Sequence, residues 1–366
     1  SLSGSFLKLR TGTLLKKSIF VFEIPIVLDL VSFISFFSYK VNPASGSYTN
    51  PDQILEWRNT KLIDSAKAKN TRVLLTISSH GRNNNDIFLE DENKWITLID
   101  SVSTLINHRN ADGVDINFEN LPYFKRTEFN RFIKEMRENL DFKLNKKAFI
   151  SVTLPALNGR EIYDVREIQK HVDLMVIMGY DYNNDIVYQE QGAVAPLQSS
   201  ESNNLSLKST LDFYINKGLN VSKTILALPY YGSMWEGQID NNGEIESRIE
   251  RKVTYSEVMN LMKSELVFSP SSIPIFDETS MTNYMNFIYP DMTTKEIWFD
   301  DDYTLGKKYD FAISKKLKGV GIWALGYDNG YRDLWKVIEE KFSTDKIKIS
   351  DPVSYTHLTL PTILLV

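Results

Sequence analysis

Apolar residues in this chain gather in short continuous runs, separated by longer stretches with a helical period. The runs are SIFVFE (18–23), LVSFISFFSY (30–39), TRVLLTIS (71–78), ADGVDINFE (111–119), KAFISVTLP (147–155), VDLMVIMGYDY (172–182), KTILALPYYG (223–232) and KGVGIWALGYD (318–328). Most are continuous enough for strands buried on both faces. The stretches between them predict amphipathic helices over 51–69 (Leu55, Leu62, Ile63, Ala66), 94–107 (Trp95, Leu98, Val102, Leu105) and 127–140 (Phe129, Phe132, Ile133, Met136, Leu140). Strands that alternate with helices, at this length, predict an α/β fold of the (β/α)8 TIM-barrel type rather than an open doubly wound sheet.

The seventh and eighth runs are roughly ninety residues apart, far more than one crossover helix needs. RKVTYSEVMNLM, SIPIFDE, NYMNFIYP and KEIWFDD within that gap read as a helix and several short strands. The expected organisation is a barrel over 18–232, a small α+β insertion over 233–300 that walls the cleft, and a return to the barrel over 301–345. The tail 346–366 ends in VSYTHLTLPTILLV, uncharged and β-prone, which reads more like translated adapter sequence than protein. It is expected to be poorly ordered and is left out of the fold.

One run breaks the apolar rule. Side chains alternate along a strand, so Val114, Ile116 and Phe118 point one way while Asp115, Asn117 and Glu119 point the other. A buried polar group without a partner costs roughly 1–3 kcal/mol, and a charge costs more. Three in a row therefore satisfy one another or line a site. A polar face turned to water on an edge strand is the competing reading, and the apolar flanking runs make this strand central instead. In a parallel barrel the chemistry lies where strands end. Later runs do end in polar or aromatic groups: Tyr180–Asp181–Tyr182, Tyr230–Tyr231 and Trp323.

Composition narrows the function. Lys and Arg number 42 against 47 Asp and Glu, net charge −5, with no basic block, so nucleic acid is not the expected partner. There is no cysteine, which removes disulfides and thiolate metal sites without deciding the compartment. The histidines His80, His108, His171 and His357 lack ligand spacing, so neither a metal nor a cofactor is expected. The 6 Trp, 18 Tyr and 20 Phe serve either core packing or sugar stacking. Trp57, Trp95 and Trp335 fall on helical faces and are expected to pack against the barrel, and His80 reads as a loop histidine. The apolar stretch 18–37 carries Glu23, Pro25 and Asp29, so no membrane span is expected. No signal peptide is visible.

These motifs together resemble glycoside hydrolase family 18, the chitinases and endo-β-N-acetylglucosaminidases, over roughly 19–340, and look most like its bacterial branch. The family signature D-x-x-D-x-D-x-E corresponds to Asp112, Asp115, Asn117 and Glu119, with Gly113 inside it. M-x-Y-D corresponds to Met178–Gly179–Tyr180–Asp181, the seventh-strand motif to Pro229–Tyr230–Tyr231–Gly232, and the eighth-strand tryptophan to Trp323. The resemblance implies that Glu119 is the general acid, that Asp115 supports it from below, and that Tyr180 and Asp181 contact the substrate's N-acetyl group. Trp323 would floor the reacting subsite, with Tyr182, Tyr230 and Tyr231 as further substrate contacts. It implies a partner containing β-1,4-linked N-acetylglucosamine, action as a monomer, and secretion or residence in the cell envelope.

The family's substrate-assisted mechanism uses the 2-acetamido oxygen as nucleophile and retains configuration. Two departures stand out. Thr76–Ile77–Ser78–Ser79 replaces the third-strand S-x-G-G, and Asn117 stands where the family usually has Asp. An amide accepts a hydrogen bond but offers no full charge, and a lost contact of this kind costs on the order of 10²–10³ in rate. Asn117 therefore marks either an impaired glycan binder or a hydrolase assisted by the amide, as in the related family 85 endoglycosidases.

Overall fold

The computed structural model describes residues 28–159, 161–183, 191–199, 205–243, 245–263, 273–342 and 362–365. Eight parallel strands close a barrel: β1 (Phe33–Lys40), β2 (Arg72–His80), β3 (Gly113–Glu119), β4 (Phe149–Leu154), β5 (Leu174–Met178), β6 (Thr224–Pro229), β12 (Gly319–Trp323) and β13 (Thr362–Leu365). The expected barrel is present, with one strand drawn from an unexpected place. SIFVFE lies outside the described residues. The position between β1 and β12 is held by β13, which pairs in parallel with both. Four residues of the tail, expected to be without order, thus form a strand. Their uncharged sequence, Thr-Ile-Leu-Leu, suits a strand paired on both sides.

Helices α1 (Pro51–Asn59), α2 (Lys61–Ala68), α3 (Arg82–Leu89), α4 (Glu92–Arg109), α5 (Arg126–Leu144), α6 (Val165–His171), α7 (Leu207–Asn216), α9 (Asp302–Ser314) and α10 (Asp333–Phe342) belong to the barrel part of the chain. The single helix expected over 51–69 is broken at Thr60, whose extended backbone (ψ 134°) stops α1 while its hydroxyl accepts from Leu62 N to cap α2. Trp57, Trp95 and Trp335 are buried, as expected. Their indole N–H groups donate to Leu105 O, Phe88 O and Asp328 Oδ2.

The strands sort their side chains as the alternation requires. Val114, Ile116 and Phe118 join the large core beneath the helices. Phe33, Leu74, Leu174, Val176, Ile225 and Ala227 form a second cluster inside the barrel, capped by Tyr180 and Phe149. Each of these Phe, Leu, Val and Ile side chains, fully buried, contributes roughly 1.5–3 kcal/mol. This packing lies beneath the polar row on β3 and makes it rigid. Gly113 is needed where β3 enters, because a Cβ there would stand 1.8 Å from Phe149 O.

The insertion is a five-stranded antiparallel sheet in the order β8 (Ile245–Thr254), β7 (Tyr231–Ile239), β11 (Thr293–Phe299), β10 (Thr282–Ile288) and β9 (Ile275–Asp277), with helix α8 (Tyr255–Lys263). It starts at Tyr231, directly after β6, slightly before the expected boundary. One face packs Met234, Met285 and Ile297 with Val253 and Val258. Across the other face, Lys252 lies opposite Ser233, and Ser233 opposite Trp298. A buried ion pair between Asp300 and Lys308 ties the end of the sheet to α9. No described helix is long and apolar enough to cross a membrane.

Candidate active site

The polar row on β3 is held from both neighbouring strands. Register sets Thr76, Ser78 and His80 of β2 opposite Asp115, Asn117 and Glu119, and Ser151 of β4 opposite Asp115 from the other side. Asp115 is fully buried and accepts from Ser151 Oγ at 2.5 Å and Thr76 Oγ1 at 3.4 Å. Burial outweighs these two hydrogen bonds and pushes its carboxyl up to about 6. Thr153 Oγ1 donates to Asn117 Oδ1 at 2.5 Å, which fixes the amide so that Nδ2 donates to Glu119 Oε1 at 3.1 Å. His80 Nδ1 stands 3.3 Å from the same Glu119 oxygen. Burial opposes ionisation of Glu119, yet the hydrogen bond and charge of His80, with the Asn117 amide, hold its carboxyl below the usual range.

The backbone around Glu119 is pinned as well. Its carbonyl accepts from Gly81 N at 3.2 Å and Asn85 Nδ2 at 2.6 Å, and Ser79 Oγ donates to Asn85 Oδ1 at 2.6 Å. Tyr163 OH donates to Phe118 O at 2.5 Å. Of the two serines that replace glycines on β2, Ser79 braces the end of β3 through Asn85, while Ser78 meets Ser38 of β1 at 2.7 Å. Asp112 has a structural task, since its Oδ2 accepts from Val73 N at 2.8 Å where β3 begins.

The opposite wall comes from β5 and the insertion. Tyr180 is half-buried, and the negative charges of Glu119, Asp181 and Asp115, after burial itself, push its hydroxyl well above the ordinary value. Tyr231 OH donates to Asp181 Oδ1 at 2.9 Å, and the Tyr180 and Tyr231 rings meet edge-on at 6.1 Å. Lys252 Nζ reaches Asp181 Oδ1 at 3.1 Å from β8. Burial alone would lower the Lys252 ammonium, but Asp181 and Glu250 hold it above its ordinary value. Trp323 ends β12 half-buried, with Phe37 edge-on at 5.2 Å and Phe37 itself exposed.

The expected residues therefore divide. Asp115, Asn117 and Glu119 on one side and Tyr180, Asp181 and Tyr231 on the other come together over the barrel, and Trp323 ends a barrel strand at the same face. Tyr182 and Tyr230 do not join them, and their expected role as substrate contacts is corrected here. Tyr182 is fully buried and donates to Thr210 Oγ1 at 2.7 Å on α7. Tyr230 is buried against Trp335, with its hydroxyl directed at Leu334 O. Lys252, Thr153 and His80 join the site although no motif points to them. His80 is accessible to register alone, one step across from Glu119.

A parallel barrel with a carboxyl row at the end of β3 and an acidic–aromatic wall opposite defines the class, an α/β barrel with a polar site at the carboxyl ends of its strands. The chain belongs to glycosyl hydrolases family 18, whose family model matches residues 11–328. It is 25% identical over 306 residues to "Uncharacterized glycosylase YvbX" of Bacillus subtilis (strain 168), covering 79% of this chain and 80% of that protein. It is 25% identical over 280 residues to "Class V chitinase CHIT5" of Lotus japonicus, covering 70% and 67%. Among solved structures, the Bacillus cereus spore cortex-lytic enzyme SleL superposes with a TM-score of 0.71 at 17% identity, covering 89% of this chain and 71% of that one. A family 18 chitinase from Cycas revoluta in complex with (GlcNAc)3 superposes with a TM-score of 0.73 at 18% identity, covering 87% and 94%. The chain is thus a chitinase-like glycosidase by family.

Proposed function

We propose that this protein hydrolyses β-1,4-linked N-acetylglucosamine glycans, chitin among them, by substrate-assisted retaining hydrolysis. The observation that carries this reading is the row Asp115–Asn117–Glu119 aimed at the same space as Tyr180, with Tyr231 and Lys252 holding Asp181 beside it. Glu119 gives its proton to the glycosidic oxygen as the 2-acetamido oxygen closes on the anomeric carbon and the bond to the leaving sugar breaks. Water then opens the cyclic intermediate by bonding to the anomeric carbon, and the Glu119 carboxylate takes a proton from that water. Asn117 acts as an amide orienter: its Oδ1, held by Thr153, keeps a second lone pair for the acetamido N–H. Asp115, buried beneath with its carboxyl pushed up to about 6, adds a negative charge below the Asn117 amide only where it ionises. Tyr180 and Asp181 contact the acetamido group, and Trp323 stacks under the reacting ring. Chitin is named in relatives and chitin oligomers are bound by a structural neighbour, which supports the substrate class. Polymers of this kind lie outside the cytoplasm, which suits a secreted or envelope protein.

The lowered Glu119 carboxyl favours a second reading, an impaired enzyme that binds glycan without turnover. Glu119→Gln separates the two on chitin oligomers. The hydrolase reading expects turnover by the wild type and none by the variant, with binding retained, because the amide keeps the shape and has no proton to give. Full activity in the variant would remove Glu119 from the mechanism.

A further inference from the structure

Beside the end of β3 lies a cavity of about 280 Å³ that no step above uses. One wall is Arg82, Asn83 and Asp86 on the first turns of α3; the other is Leu121, Tyr123 and Phe124, just past Glu119. Both walls are tied to the backbone of Glu119. Gly81 N and Asn85 Nδ2 flank the first wall and hold Glu119 O, and the second wall continues from Glu119 in sequence. Tyr123 and Phe124 expose 58% and 57% of their surfaces and meet edge-on at 5.5 Å. Exposed rings on adjacent residues are costly unless something covers them, and sugar faces suit flat apolar surfaces.

The charges in the cavity are uneven. Asp86 is matched by Lys125 Nζ at 3.3 Å from Oδ1. Arg82 is exposed and, among the described residues, makes no ion pair. The cavity therefore presents a guanidinium on a chain whose net charge is −5. A guanidinium with donors to spare is the side chain best matched to a carboxylate.

We infer that this cavity binds the sugar on the leaving-group side of the bond Glu119 protonates, and that this sugar is a 2-acetamido sugar carrying a carboxylate substituent. Tyr123 and Phe124 cover its ring and Arg82 takes the carboxylate. The inference rests on the hydrolase reading above and names the substrate within it.

The test uses the whole chain and three soluble probes: the N-acetylglucosamine tetramer, an alternating N-acetylglucosamine and 3-O-lactyl-N-acetylglucosamine tetramer, and the methyl ester of the second. The expected result is a kcat/KM for the free carboxylate about fivefold above that for its ester, the upper range for an exposed ion pair. That preference shrinks in high salt, and Arg82→Gln brings the ratio towards one. Equal rates on acid and ester, or a ratio unchanged in Arg82→Gln, would overturn the inference. Cleavage of none of the three would sink the hydrolase reading. The inference would then be decided by calorimetric binding of acid against ester: a preference lost in Arg82→Gln upholds it, and equal binding ends it.

Discussion

Asn117 Nδ2 donates to Glu119 Oε1 at 3.1 Å while Thr153 Oγ1 donates to the opposite end of the same amide at 2.5 Å. The residue that departs from the family pattern is therefore held in place against the Glu119 carboxyl, the general acid of the proposed mechanism. Replacing it by Asp sets a carboxylate against a carboxylate at that distance. Like charges so close share a proton and raise one another's pKa. If Asn117 is a working orienter, Asn117→Asp leaves kcat on chitin oligomers flat or lowers it, and the basic limb of the pH profile moves upward. Initial rates of both proteins over about pH 4–8 read this directly, a range that spans a shifted carboxyl. A gain of about 10²-fold, the size of a restored transition-state contact, would instead favour the impaired-enzyme reading.

His80 acts on the same oxygen from the other side. Its hydrogen bond and charge favour the ionised form of Glu119. A general acid works only while protonated, so the basic limb of kcat/KM follows its pKa. His80→Asn removes the charge and keeps a hydrogen-bonding side chain. The limb is expected to move to higher pH, with KM changed less than kcat near neutrality. A profile that stays in place, or moves to lower pH, would show that His80 does not tune the acid.

Asp115 stores a cost in the fold. Its folded pKa is about 6 against an ordinary 3.8, so the folded protein holds a proton that the unfolded chain releases. The penalty is absent below the ordinary value and complete above about 6, where two pKa units correspond to about 3 kcal/mol. Asp115→Asn removes the charge while its amide can still bond Ser151 and Thr76. The variant should be more stable than the wild type by an amount that grows from about pH 4 to about pH 7, and less active throughout. Thermal unfolding at both ends of that range checks this, and equal midpoints at the upper end would contradict it.

Local pattern accounts for what is legible in this sequence. Alternation alone puts Asp115, Asn117 and Glu119 on one face of β3, and the continuous apolar runs mark the barrel strands. Adjacency in a motif is a poorer guide. Asp181 adopts φ +59°, which breaks the alternation of an extended strand, so Tyr180 and Tyr182 leave it in unrelated directions. Tyr230 precedes the turn into β7, and only Tyr231 faces Asp181. Lys252 belongs to a hairpin whose placement over the barrel is a tertiary fact, with no trace in local sequence. The foreign look of the sequence around β13 hides a strand, although Ile363, Leu364 and Leu365 in a row are the kind of uncharged run that a strand paired on both sides is made of.

In the proposed mechanism the substrate's own acetamido group is the nucleophile, while Glu119 gives a proton to the leaving oxygen and takes one from water. Proton NMR of the first-formed product from a chitin oligomer reads the stereochemistry before mutarotation. The wild type is expected to release the β-anomer first, because two displacements at one carbon retain configuration. Initial release of the α-anomer would mean direct attack by water from the opposite face, and would contradict it.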